Sequence, residues 1–169
     1  MKPKIGGTMD TSKEYIQMCR AAEEIQEVWI PTAWDYIFCL NCIERDDDYE
    51  KVVIISGYET DLGFYGHGVG EMGNEFYCSS DEVRLESLSE EEFKRTHIWL
   101  PRQDQLQAML VRDVWYLEQS FHCWFLECSG IKSGKPQYSM EQLWLAFVMH
   151  ELYGKVWEAD KQKWTKPNP

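Results

Sequence analysis

An α+β fold, a small antiparallel sheet of about three strands packed against three amphipathic helices, is predicted by two changes of period along the chain. Apolar residues recur every three or four positions from Tyr15 to Trp29, and short β-branched and aromatic runs follow between Trp34 and Cys78. From Leu106 onward the helical spacing returns. Helix, strands, helix, helix lacks the regular alternation that builds a parallel sheet. The length of 169 residues, with 44% hydrophobic content, suffices for one domain with its own core. The expected boundaries are a loose tail over 1–10, containing Pro3, Gly6 and Gly7, a single domain over 11–160 and a polar tail over 161–169.

The first helix is expected to open on a capping box of Thr11 and Glu14. Tyr15, Met18, Cys19, Ala22, Ile25 and Trp29 form its apolar face, and Pro31 ends it by Ile30, because proline disfavours the α conformation in the residue before it. The run 34–43 then reads as a strand, Arg45–Asp48 as a turn and Lys51–Ser56 as the partner strand of a β-hairpin. Gly57 to Asn74 is glycine-rich and reads as a long mobile connection, and Glu75–Cys78 as a third short strand. Ser79 to Glu92 is polar and acidic, and within it Ser89 and Glu92 fit a capping box for a short helix reaching about Arg95, with a solvated linker as the alternative.

Thr96 to Leu100 reads as extended, and Pro101 suits the first position of a helix. Leu106, Leu110, Val114, Leu117, Phe121, Phe125 and Cys128 share one face, which favours one long helix, a break near Asp113 being the alternative. Gly130, Gly134 and Pro136 mark a loop. The last helix is the best specified: Ser139 and Gln142 form a capping box, Tyr138 and Leu143 a hydrophobic staple, and Leu143 to Met149 is apolar all round. Leu145, Met149, Leu152 and Val156 carry its apolar face on toward Trp157.

Charge narrows the functional classes. Seventeen Lys and Arg against 29 Asp and Glu give a net charge of −12, which repels nucleic acid and anionic lipid, so direct nucleic-acid binding is not expected. No run reaches the roughly 18–20 apolar residues of a membrane span and the N-terminus has no apolar signal core, which points to a soluble intracellular protein with reduced thiols. Cys39 and Cys42, two residues apart, with Cys123 and Cys128, are the candidate ligands of a structural zinc ion. Their spacing is unfavourable: on a strand Cys39 and Cys42 face opposite ways, and on a helix Cys123 and Cys128 lie about 140° apart. Buried, unligated thiols are the preferred reading, with no metal or other cofactor.

Other motifs fail on context. Gly68-Val-Gly-Glu-Met-Gly73 has the letters of a dinucleotide-binding loop but is followed by acidic residues rather than an apolar helix. His150-Glu151 opens like a zincin helix, yet Gly154 stands where the second histidine belongs. Asp46–Asp48 and Glu90–Glu92 lack the spacing of a calcium loop. No catalytic constellation emerges. The eight tryptophans are the remaining oddity, since Trp115 and Trp144 fall away from the centres of their helices' apolar faces and so imply a second packed surface, against the sheet or against a second copy of the chain.

Three stretches, Glu14–Gln26, Ile98–Gln107 and Ser139–Met149 with Tyr153–Trp157, resemble a group of short proteins of tailed phages and bacterial prophages, especially of Firmicutes, that has no assigned activity. The resemblance implies a phage-derived gene acting in the bacterial cytoplasm and brings no catalytic residues. In the Ile98–Gln107 stretch, Trp99 and Leu100 anchor the chain, Pro101 starts the helix and Asp104 favours its positive end, whereas Arg102, Gln103 and Gln105 are left without a structural reason. Trp99, Arg102, Gln103, Gln105, Trp115 and Trp144 are therefore the candidate interaction residues. The expected function is that of a non-enzymatic phage accessory protein working through contact with a phage or host protein. The alternatives are an acidic decoy whose carboxylates stand in for DNA phosphates, and a small structural zinc protein.

Overall fold

The computed structural model describes residues 9–40, 52–59, 63–72, 75–84, 89–110, 113–127 and 138–167. They fall in two compact units, Met1–Pro101 and Arg102–Pro169, both of which the expected 11–160 domain enters. The expected turn Arg45–Asp48, the loop through Gly130, Gly134 and Pro136, and all but the last two residues of the N-terminal tail lie outside the described residues.

In the first unit the expected opening helix is two helices. Helix α1 (Lys13–Ala21) is capped by Ser12, not Thr11: the Ser12 hydroxyl accepts the Tyr15 N–H at 3.2 Å, while the Asp10 carboxylate accepts the Ser12 N–H. Ala22 leaves the helical region at φ −87°, ψ 66°, and α2 (Glu23–Val28) begins beyond it. The helix ends at Val28 with Trp29 extended, before Ile30, the residue that Pro31 disfavours in the α conformation. Trp34 is not in a strand. It sits in a turn with φ 74°, and strand β1 begins two residues later (Tyr36–Cys39).

Strands β2 (Val52–Glu59), β3 (Gly63–Met72), β4 (Glu75–Arg84) and β5 (His97–Leu100) complete an antiparallel sheet in the order β4-β3-β2-β1-β5. The α+β class holds and the hairpin of β1 with β2 forms as expected, with Tyr36 opposite Ile54. The glycine-rich segment is not a connection but strand β3, and the third expected strand runs on to Arg84. Glycine depresses strand propensity, yet β3 is paired along both edges, and its irregularities occur beside Gly57 and between His67 and Val69. Helix α3 (Glu90–Thr96) has the predicted capping box: Ser89 Oγ accepts the Glu92 N–H and Glu92 Oε2 accepts the Ser89 N–H. Glu90 and Glu91 each reach a cation one turn on, Lys94 and Arg95.

The edge strand β5 is covered rather than free. Helix α1 packs on it, Tyr15 donates its hydroxyl proton to the Pro101 carbonyl, and the Gln26 side-chain amide pairs with Trp99 as a neighbouring strand would, accepting its N–H at 2.9 Å and donating to its carbonyl at 3.0 Å. All four β5 residues are buried, and with Tyr15, Met18, Ile25, Ile37, Ile55 and Phe93 they form the core of this unit.

The second unit carries α4 (Gln103–Met109), α5 (Val114–Glu127), α6 (Met140–Tyr153) and a hairpin of β6 (Val156–Glu158) with β7 (Lys163–Thr165). The long helix expected after Pro101 is thus broken. Leu110 turns extended, and the Asp113 carboxylate accepts the Trp115 N–H at 2.9 Å at the start of α5. Pro101 precedes α4 instead of opening it, with Arg102 at the N-cap. Helix α6 starts as predicted, Ser139 Oγ accepting the Gln142 N–H at 3.0 Å. It ends earlier than its pattern implies, at Gly154 in the left-handed region (φ 63°), where the Gly154 and Lys155 N–H groups close onto the His150 and Met149 carbonyls. Val156 and Trp157 therefore belong to a strand. The expected polar tail is corrected likewise, because β7 puts Trp164 in a buried position 5.1 Å from the Trp157 ring.

Candidate protein-contact surface

The residues singled out for metal chemistry do not come together. Cys39 is disulfide-bonded, so the expectation of a reduced thiol fails there. Cys42 and Cys128 also lie outside the described residues, and Cys123 is a free, exposed thiol on α5. Among the described residues no three His, Cys, Asp or Glu side chains are grouped to hold a metal ion. Cys19 is free but sealed in the core, where burial pushes its pKa far above that of an ordinary thiol and keeps it protonated. His97 is a core histidine: its ring stacks on Phe93 and its Nδ1 lies 3.1 Å from the Phe93 carbonyl.

Of the six candidate interaction residues, four acquire structural reasons. Trp99, in the first unit, is buried and lies parallel to Trp29 at 6.0 Å between ring centroids. In the second unit Arg102 is half-buried, its guanidinium forks onto the Asp104 carboxylate at 3.1 and 3.3 Å, and Gln105 Oε1 accepts the Arg102 N–H at 2.9 Å. Arg102 and Gln105 thus fasten the start of α4. Trp144 is buried in an aromatic cluster, stacked on Phe121 at 4.2 Å, with Phe147 edge-on to both. Gln103 is half-buried on α4, and no contact of its side chain marks it out.

Trp115 is different. Helix α5 enters this cluster through a narrow seam, where Leu117 and Trp124 are buried and Phe121 half-buried. At 100° per residue, Trp115, Gln119, His122 and Leu126 lie within about 60° of one another on the opposite side of the helix. Trp115 is 64% exposed and Leu126 69%, and Tyr116 and Val114 flank them at 65% and 70%. A helix that packs by one side should turn charge to water on the other; α5 puts a tryptophan and a leucine there. The sequence signal for Leu126 is its four-three-four spacing from Trp115 through Gln119 and His122, masked by the single-face pattern through Phe121 and Phe125; nothing in the spacing marks Tyr116.

A smaller exposed apolar group lies in the first unit, where Val28, Ile30 and Trp34 are 60–69% exposed around the Pro31 turn. The buried Asp35 carboxylate holds this turn, its Oδ2 accepting from Trp29 Nε1 at 2.8 Å, the Thr32 N–H at 2.9 Å and the Thr32 hydroxyl at 3.1 Å.

Charge divides between the units. Arg102–Pro169 holds eight Lys and Arg against eight Asp and Glu, so the nine basic and 21 acidic residues of Met1–Pro101 carry the whole net charge of −12. No helix among the described residues is long and apolar enough to cross a membrane. Compared with protein-family models, with curated proteins and with solved structures, the chain matches none.

Proposed function

We propose that the protein is a non-enzymatic phage or prophage accessory protein that works by contact with another protein through the outer face of α5. One observation supports this most: Trp115 and Leu126 stand on the side of α5 away from its packed seam and remain about two-thirds exposed. Tryptophan is enriched among residues that dominate binding energy, and apolar groups displayed together on a rigid helix are the usual form of a helix-mediated contact. The test is capture of proteins by the tagged chain from host lysate, alongside the Trp115→Asp and Leu126→Asp variants, whose exposed positions leave the fold intact. A protein bound by the parent and lost from both variants is the expected result. Identical captured sets, or stoichiometric zinc in the purified chain, would overturn the proposal.

A second reading, the acidic decoy of a DNA-binding protein, draws on the concentration of all net charge in Met1–Pro101. It predicts release of the captured protein as salt rises, whereas an apolar contact through α5 holds.

A further inference from the structure

We infer that the turn over 28–34 in the first unit is a contact surface separate from α5, and that its occupant is a basic, amphipathic segment of another protein, with Lys or Arg beside apolar side chains. Its centre is Trp34. A bulky residue at φ 74° is strained, and here the strained backbone carries an indole that stays 69% exposed. The buried Asp35 carboxylate fixes the shape from inside through Trp29 and Thr32, and the Trp34 N–H and Asp35 carbonyl are both bonded to Ile55. Ile30, 68% exposed, and Val28, 60% exposed, precede Pro31 in the same turn. Stability alone would be served better by glycine at position 34, which has no penalty at positive φ. A tryptophan held in place before binding loses little freedom when it is covered, which is the property of an anchoring residue.

Charge selects the occupant. Between Arg20 and Arg45 the sequence has no Lys or Arg, while Glu23, Glu24, Glu27, Asp35 and Glu44 fall there. Glu23 and Glu27 are exposed one turn apart on α2, a like-charged pair that weakens a helix unless a cation comes near, and Glu27 adjoins Val28. No cation among the described residues pairs with either. The unit around them holds 21 acidic residues against nine basic ones. This field disfavours an acidic protein, an anionic lipid surface and a second copy of the chain, which carries the same net charge of −12. Carboxylates beside exposed apolar side chains instead match the cations that flank the apolar face of a basic amphipathic helix. A decoy of DNA would use the carboxylates alone, whereas this turn adds the indole.

The probe is a fluorescently labelled helical peptide of leucine and lysine, about 14 residues or four turns long, titrated with the full chain at low salt and followed by anisotropy. It should bind, and two relatives should not: one with serine for leucine, which keeps the charge, and one with glutamate for lysine, which keeps the apolar face. Trp34→Gly should weaken binding roughly tenfold or more, yet keep the urea midpoint no lower than that of the parent, because glycine relieves the strained φ. Ile30→Ser, which leaves the turn's backbone alone, should lose several-fold, and the reversal Glu23→Lys/Glu27→Lys roughly tenfold. Trp115→Asp should bind as the parent does. No binding of the leucine–lysine peptide, or equal binding by Trp34→Gly, would overturn the inference. A Trp34→Gly midpoint well below the parent's would do the same, by making Trp34 a residue of the fold. Equal binding of the serine peptide would reduce the surface to diffuse charge attraction, and equal binding of the glutamate peptide would remove the preference for a basic partner. Binding lost in Trp115→Asp but kept in Trp34→Gly would place the peptide on α5, ending this inference and leaving the contact function proposed above.

Discussion

Asp35 shows how one side chain can set a local shape that sequence pattern misses. It is 1% exposed, and its carboxylate gathers the Trp29 indole N–H and both Thr32 donors, while its own backbone carbonyl accepts the Ile55 N–H. This knot, with the Trp34 N–H bonded to the Ile55 carbonyl, keeps Trp34 at a positive φ that a bulky residue adopts only at a cost of about 1–2 kcal/mol. Asp35→Ala removes the acceptor and leaves the buried indole N–H and the Thr32 N–H without it. The expected loss of stability is about 2–4 kcal/mol, read as a lower midpoint in urea denaturation, with Asp35→Asn losing less because one oxygen remains. A midpoint unchanged in Asp35→Ala would show that the turn is held by its backbone bonds alone. Residue spacing could not have revealed this: aromatic and β-branched letters from Trp34 onward look like strand, and only the folded turn shows Asp35 as its centre.

Among the elements, the starts marked by Ser139 and Ser89 were legible, whereas the cap of α1 fell one residue from the expected Thr11, Pro101 precedes α4 rather than opening it, the Gly154 stop was passed over, and elements governed by partners were not legible. Ser139 and the Ser89–Glu92 box were readable because a cap acts within four residues. Strand β3 was unreadable because glycine-rich sequence has little propensity of its own and is ordered by β2 and β4 on either side. The breaks at Ala22 and Leu110 were hidden within continuous apolar spacing, which survives a one-residue interruption. The contact face suffered similarly: Trp115 was singled out, but Trp144 shared its helical offset and went to the core, since burial depends on what faces a residue. Helix α6 tests the distinction. Leu145 is fully buried, so Leu145→Asp places an unpaired carboxylate in the core, at a cost of several kcal/mol against a total of about 5–15, and should abolish folding. Gly154→Ala meets no atom within 4 Å but must adopt φ 63°, so it should cost only about 1 kcal/mol, with Gly154→Asn milder. A soluble, cooperatively unfolding Leu145→Asp chain would mean that α6 is not central.

For the whole molecule the governing quantity is the uneven distribution of charge. Met1–Pro101 holds 21 carboxylates against nine cations, and of the three in the first turn of α3, Glu90 and Glu91 are offset by Lys94 and Arg95. The remaining excess repels itself most in the compact state and less in the longer, unfolded chain, so self-repulsion lowers stability at low ionic strength. Raising salt from 0.01 to 0.15 M shortens the screening length from about 30 to 8 Å, comparable with the distances between charges on one small unit. Thermal unfolding followed by tryptophan fluorescence should therefore show a midpoint that climbs by several degrees over this range of sodium chloride and then flattens, a shift of order 1 kcal/mol. The balanced Arg102–Pro169 unit should contribute little to the shift, and capture of a partner through the apolar side chains Trp115 and Leu126 should survive added salt. A midpoint that falls with salt would mean that attractive pairs such as Lys94–Glu90 outweigh the excess of negative charge. Association that weakens steeply with salt would instead move the contact surface to the acidic unit, which is the outcome the decoy reading requires.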